Sequence, residues 1–240
     1  MRLNKYISET GLCSRRVADA LIAEGRVTIN GKPVELGQQV GEHDDVRVDG
    51  KPVIGRTRGA AHVTQRVYIA LNKPVGITCT TERHIPGNIV DYINHPQRIF
   101  PIGRLDKDSE GLILLTSNGD IVNEILRSEN NHEKEYIVTI DRPVTPQFLH
   151  GMSSGVRLPE LGATTKKCRV EKISGNTFRI VLTQGLNRQI RRMCEAFGCK
   201  VRRLQRVRID NIKLGALKSG YWRNLSEDEL RELLPQRTVW

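Results

Sequence analysis

A short polar stretch, Gly55-Arg56-Thr57-Arg58-Gly59-Ala60-Ala61-His62, divides the chain into two parts that share no continuous pattern. It lacks apolar periodicity and carries two glycines, so it reads as a tether. This predicts a small domain over 1–55, a linker over 56–65 and a larger domain over 66–240. Charge divides at the same place. Residues 1–55 hold eight Lys/Arg and eight Asp/Glu. The remaining 30 basic and 19 acidic residues carry the whole net charge of +11.

A basic globular chain points to a polyanionic partner, most often nucleic acid. At 240 residues and 38% hydrophobic content, the chain can bury a real core, which excludes a wholly disordered tail protein. No apolar run approaches the ~18 residues of a membrane span. The run near Leu112–Leu115 is closed by Thr116, and Met1–Tyr6 lacks the apolar stretch of a secretory signal. A soluble, cytoplasmic protein without membrane contact is expected. The cysteines at 13, 79, 168, 194 and 199 are odd in number and widely spaced, unlike a disulfide framework. No two histidines sit at zinc-ligand spacing, so no metal is expected.

The first segment reads as two helices and a small sheet. Leu3, Ile7 and Leu12 suit a first helix that ends near Gly11. Ser14 can cap a second helix, with Val17, Ala18, Leu21 and Ile22 on one face and Gly25 closing it. Alternating runs at Val27–Ile29 and Val46–Val48 follow, with turns at Asn30-Gly31 and Asp49-Gly50. The words Arg2-Leu3-Asn4-Lys5-Tyr6-Ile7, Ser14-Arg15-Arg16, Ala20-Leu21-Ile22, Gly25-Arg26-Val27 and Ile29-Asn30-Gly31-Lys32 resemble the S4 RNA-binding domain. That resemblance implies that Arg2, Lys5, Arg15 and Arg16 face structured RNA, where arginine can grip phosphate bidentately.

Beyond the tether, Val67–Leu71 reads as a buried strand, and Asn72-Lys73-Pro74-Val75-Gly76 as the turn that ends it. A charged loop, Gly103–Glu110, then runs into the apolar Leu112–Leu115. Loops anchored on rigid strands are where catalytic groups concentrate. Asp106, Asp108, Glu110 and Gly111 superficially spell a calcium loop, but its twelfth position is Ser117 rather than a bidentate Glu. A surface turn of locally paired charges and a single catalytic aspartate, Asp106, remain as readings.

Gly103-Arg104-Leu105-Asp106 with Ser109-Glu110-Gly111-Leu112 resembles the signature of pseudouridine synthases. Three more segments agree in that family's order: Leu71-Asn72-Lys73-Pro74-Val75-Gly76, Glu133-Lys134-Glu135-Tyr136-Ile137-Val138, and Gly185-Leu186-Asn187-Arg188-Gln189-Ile190-Arg191-Arg192-Met193. With an S4-like module in front, the chain is identified as a member of the RsuA-type branch, which acts on ribosomal RNA. The resemblance implies catalysis by Asp106, Tyr136 and Arg191. Asp106 is either a nucleophile at the ribose or a general base. Arg191 is its counter-charge, since an opposite charge keeps an enclosed carboxylate ionised. Tyr136 stacks on the target base, although without the motif it reads as an ordinary strand tyrosine. Arg104 occupies the gap left by a flipped base or holds phosphate. Lys73, Lys134, Asn187 and Arg188 contact the RNA backbone. Between Arg188 and Arg208 stand eight Lys/Arg and one acid, Glu195, so most of that run reads as an RNA-facing surface.

Gln189–Gly198 reads as a helix with Ile190, Met193, Cys194 and Phe197 on one face, and Leu204–Leu217 as strands. Glu227–Leu234 suits a last helix capped by Ser226. The expected class is α+β: the S4-like module, then a mixed, mainly antiparallel sheet with surface helices. The expected activity is conversion of uridine to pseudouridine in 23S ribosomal RNA, with a transfer RNA as second substrate, by a monomer that needs no cofactor. A non-catalytic RNA-binding ribosome-assembly factor is the rival. A methyltransferase would want a glycine-rich GxGxxG loop, and none occurs.

Overall fold

The computed structural model describes residues 1–53, 66–122, 125 and 132–235, so the expected 56–65 linker lies outside the described residues. The chain forms two compact units, Met1–Thr64 and Gln65–Trp240.

In the first unit, α1 (Leu3–Glu9) and α2 (Arg15–Ala23) pack on a four-stranded sheet of β1 (Val27–Ile29), β2 (Lys32–Pro33), β3 (Val46–Val48) and β4 (Lys51–Pro52). The strand order is β2-β1-β3-β4. The Ser14 hydroxyl accepts the Val17 amide at 3.2 Å, starting α2 as its sequence predicts. Leu3, Ile7, Ala18, Ile22 and the inward valines form the core. Leu12 and Val17 do not join it; both are exposed. Leu12 falls beyond the end of α1. On α2 the buried stripe narrows to Ala18 and Ile22, with Leu21 partly covered, because so small a sheet covers only part of a helix face.

Among the described residues, the elements of the second unit form a nine-stranded sheet, a separate two-stranded hairpin and several helices. In chain order they begin with β5 (Tyr68–Lys73), α3 (Ile89–Ile93), β6 (Phe100–Ile102), β7 (Glu110–Thr116) and β8 (Lys134–Ile140). Next come α4 (Pro146–Ser153), the small hairpin β9 (Arg157–Leu158) and β10 (Ala163–Thr164), β11 (Arg169–Ser174) and β12 (Thr177–Leu182). Last are α5 (Gln189–Ala196), β13 (Val201–Ile209), β14 (Ile212–Lys213), β15 (Trp222–Asn224) and α6 (Glu227–Leu233). The main sheet runs β11-β12-β8-β13-β7-β5-β15, with β14 on β13 and β6 on β7. The β13–β7 pair is parallel and the other pairs are antiparallel, as the mixed, mainly antiparallel expectation required.

Strand β5 is buried at all six positions and β7 at all but its first, which is why both read as near-continuous apolar runs. Alternation sorts their side chains to two faces. Tyr68, Ala70, Leu112 and Leu114 pack on Leu230 and Leu233 of α6. Ile69, Leu71, Ile113 and Leu115 pack on Ile89 and Ile93 of α3 and on Leu105. Further along, Val138, Ile140, Phe178 and Ile180 meet Phe148 of α4 and Met193 of α5. Phe197 departs from its expected place: α5 stops at Ala196, and the Phe197 ring sits half out, edge-on to Phe148 at 5.7 Å.

Candidate active site

The loop before β7 is held at both shoulders. Leu105 is buried in the core, and its amide donates to the Cys79 thiol at 3.4 Å. The Ser109 amide closes onto the Asp106 carbonyl at 3.0 Å, and the Gly76 amide donates to the Lys107 carbonyl at 2.8 Å. Between these anchors the Asp106 side chain stays one-third exposed (33%). Just beyond, Gly111 has φ +103°, and a Cβ there would lie 2.3 Å from the Arg206 carbonyl oxygen. A residue with a side chain therefore fits this point of parallel contact between β7 and β13 only if the strands move apart.

Two arginines face the loop. Arg188 Nη1 lies 3.6 Å from Asp106 Oδ2, and Arg188 Nη2 is 3.3 Å from Asp108 Oδ2. Arg191, only 10% exposed, donates from Nη2 to the Asp108 carbonyl at 3.0 Å and to Ser109 Oγ at 3.2 Å, and lies 3.2 Å from Asp108 Oδ2. The expected Arg191–Asp106 pair is therefore absent. Arg191 projects from the first turn of α5 onto the far shoulder of the loop, and Arg188, with left-handed backbone at φ +49°, turns back toward Asp106. Burial pushes the Asp108 carboxyl up, but the Arg188 hydrogen bond and the charges of Arg191 and Arg188 outweigh it and hold it below the usual range. The acids of the calcium-like spelling thus meet arginines: Glu110 pairs with Arg203, completing the set.

Behind the loop a row crosses four strands: Tyr136 opposes Arg206, Arg206 opposes Gly111, and Gly111 opposes Lys73. Lys73 was expected in a turn and on an RNA-facing surface, and the structure corrects both. The strand runs through Lys73, whose side chain is wholly buried (0%) and donates to the Pro74 and Ile77 carbonyls at 2.9 and 3.0 Å. Burial lowers its pKa, against the opposing pull of Cys79, Asp108 and Asp106. Lys134 is half-buried, donates to the His132 carbonyl at 3.2 Å, and is likewise lowered, first by burial and then by Arg206. Tyr136 is half-buried between two cores, with the Arg206 guanidinium 6.0 Å from its ring centroid. Arg206 is buried, and its Nε donates to the Leu112 carbonyl at 2.6 Å. Sequence reading missed this residue, although it shares the inward parity of Leu204 two positions earlier.

Arg104, Asn187 and Arg188 are exposed around the loop. Asn187 is gripped by Arg192, which donates to its carbonyl at 3.2 Å and its side-chain oxygen at 3.3 Å. In the first unit Arg2, Arg15 and Arg16 are exposed, and Lys5 lies 3.4 Å from Glu9.

Residues 67–196 match the family model described as RNA pseudouridylate synthase, and residues 1–46 match the S4 domain. The dual-specificity RNA pseudouridine synthase RluF of Escherichia coli K12 is 56% identical over 97% of this chain and 78% of its own length. Ribosomal large subunit pseudouridine synthase B of Bacillus subtilis is 34% identical over 97% of this chain and 95% of its own. A crystal structure of a pseudouridylate synthase superposes with TM-score 0.70 at 28% identity, covering 97% of this chain and 99% of that one.

Proposed function

This chain belongs to the RNA pseudouridylate synthase family and isomerises uridine in RNA, and we propose that Asp106 is the group that starts the reaction. The reaction breaks the N1–C1′ bond, turns the uracil and forms a C5–C1′ bond. C5 loses a proton and N1 gains one, so the product is an isomer and nothing is oxidised or reduced. A carboxylate can begin this by attacking C1′ or by removing a ribose proton. The observation that supports Asp106 is its setting: a carboxylate one-third exposed, on a loop pinned at Leu105 and Ser109, with an arginine 3.6 Å away.

The neighbours take distinct parts in this reading. Arg188 supplies the positive charge beside the carboxylate, while Arg191 fixes the loop through Asp108 and Ser109. Tyr136 offers its ring to the target uracil. A base reached inside folded RNA leaves its stack at a cost of about a few kcal/mol, and the exposed Arg104 is placed to enter the gap. Arg2, Lys5, Arg15 and Arg16 of the S4 unit, with Lys134 and Asn187, hold the backbone. The substrate is a uridine of 23S ribosomal RNA, with a transfer RNA as second substrate. The dual-specificity and large-subunit relatives support this choice. The enzyme acts as a cytoplasmic monomer; no described helix is long and apolar enough to cross a membrane.

Pseudouridine mapping at single-nucleotide resolution tests the proposal. Cells lacking the protein are rescued with wild type or Asp106→Asn, and ribosomal and transfer RNA are compared. Sites lost without the protein should return only with wild type. Restoration by Asp106→Asn at the normal rate would remove Asp106 from the chemistry.

A further inference from the structure

The edge strand β15 carries an aromatic group on the same face as the candidate site. Trp222 pairs with Leu71, and Leu71 with Ile113, both in the core beneath the Asp106 loop. The Trp222 ring is therefore on the Lys73–Arg206–Tyr136 face. Its indole meets His95 edge-on, with centroids 6.0 Å apart. Tyr92, on α3, donates its hydroxyl to the Gly220 carbonyl at 3.2 Å, just before that strand. Trp222 and Tyr92 remain 39% and 40% exposed, although each is fixed by these contacts. Lys218 in the preceding turn is exposed, as is Arg83, 3.8 Å from the Asp91 carboxylate beside Tyr92.

A rigid, half-covered indole is a poor thing to leave in water and a good surface for a nucleobase. Stacking on a protein aromatic tolerates any base and is used where RNA is single-stranded. Two strand spacings, about 10 Å, separate β15 from β7, whose leading loop holds Asp106. That is the sideways offset alone; Ile113, in register with Trp222, stands seven residues after Asp106, so the indole faces nucleotides a few positions from a base delivered there. We infer that Trp222, braced by His95 and accompanied by Tyr92, stacks an unpaired base of the RNA substrate close to the target uridine. Lys218 and Arg83 then face the phosphates of that strand. The inference rests on the proposed site at Asp106, because it is the shared face that makes the aromatic group part of the RNA path.

The chain has two tryptophans, so Trp240→Phe leaves Trp222 as the sole indole. Its emission should be quenched by single-stranded oligouridylate and left unchanged by an oligouridylate–oligoadenylate duplex of equal length. In steady-state turnover of a 23S ribosomal RNA transcript, Trp222→Ala should raise KM by about five- to a hundredfold, the effect of one lost base stack. Its kcat should stay at the wild-type value, and Trp222→Phe should recover most of the loss. An unquenched indole, equal quenching by the duplex, or an unchanged KM each overturns the inference; the last two would leave Trp222 for a partner other than unpaired RNA. The quenching arm keeps Trp222 in place, so it holds even if Trp222→Ala fails to fold. Wild-type inactivity on the transcript would instead count against the proposed substrate and leave the quenching result standing.

Discussion

Replacing Gly111 with alanine should damage the enzyme out of proportion to the one methyl group added. The new Cβ would lie 2.3 Å from the Arg206 carbonyl oxygen, 2.7 Å from its nitrogen and 3.0 Å from its carbonyl carbon. All three atoms are backbone of a paired strand, so no side chain can swing away. Relief requires β13 to retreat from β7 by roughly 1 Å at their parallel contact, and overpacking of this kind costs about 1–3 kcal/mol. The backbone adds its own strain, since φ +103° is a region that residues with a Cβ enter at about 1–3 kcal/mol. Together these predict a loss of about 2–6 kcal/mol, a large share of the roughly 5–15 kcal/mol that stabilises a typical protein. Gly162→Ala is the unclashed reference, because Gly162 has positive φ, +59°, in the milder left-handed helical region and nothing within 4 Å of its would-be Cβ. Urea unfolding followed by circular dichroism should therefore show a small shift for Gly162→Ala and a large one for Gly111→Ala. Turnover should fall with the latter even where it remains folded, because Arg206 moves with β13 beneath Tyr136. A Gly111→Ala midpoint no lower than that of Gly162→Ala would refute the steric argument.

Two other substitutions probe the charges around the loop. Arg191→Lys keeps the charge but cannot reach the Asp108 carbonyl and Ser109 Oγ from one planar group, so it should cost about 1–3 kcal/mol in thermal unfolding and lower kcat more than it raises KM. Lys73→Met removes an ammonium whose pKa burial depresses below its unfolded value of 10.5. Between that depressed value and 10.5 the unfolded chain binds more protons, so wild type should gain stability relative to Lys73→Met as pH rises through this window. A wild-type advantage that shrinks as pH rises there, in urea midpoints taken from pH 7 to 10, would mean that Lys73 is not desolvated.

Much of the fold was legible because its signals are local. Ser14 and Ser226 cap helices where the sequence places them, and Ser226 forms a full capping box with Glu229. The apolar runs of β5 and β7 mark two neighbouring strands buried on both faces. Lys73 was misread for a physical reason. Charge before Pro-Val-Gly suggests a turn, yet the strand holds to its end because the ammonium satisfies carbonyls of that same turn, at Pro74 and Ile77. The arginines were harder. Eight basic residues crowd 188–208, and sequence spacing alone does not say which of them point inward. Arg191 turns in because α5 presents its first turn to the loop, and Arg206 turns in because β13 is buried between β8 and β7.

This distribution of arginines bears on how the site works. Arg206 has one guanidinium nitrogen, Nη2, that is buried and without a partner among the described residues, and Arg191 leaves Nε in the same state. A buried donor left unpaired costs about 1–3 kcal/mol, so a fold selected for stability alone would not be expected to keep two around one loop. Lys73 adds a buried cation on the same face. Three desolvated cations beside the loop of Asp106 and Asp108 form a field that is incompletely compensated by protein acids, and a low-dielectric setting strengthens its pull on an approaching anion. RNA brings that anion as phosphate and develops partial negative charge on uracil as the glycosidic bond loosens. Under the proposed reaction at Asp106, the same groups that reduce the stability of the free protein would favour the bound and reacting states, which is where catalysis requires the stronger interaction.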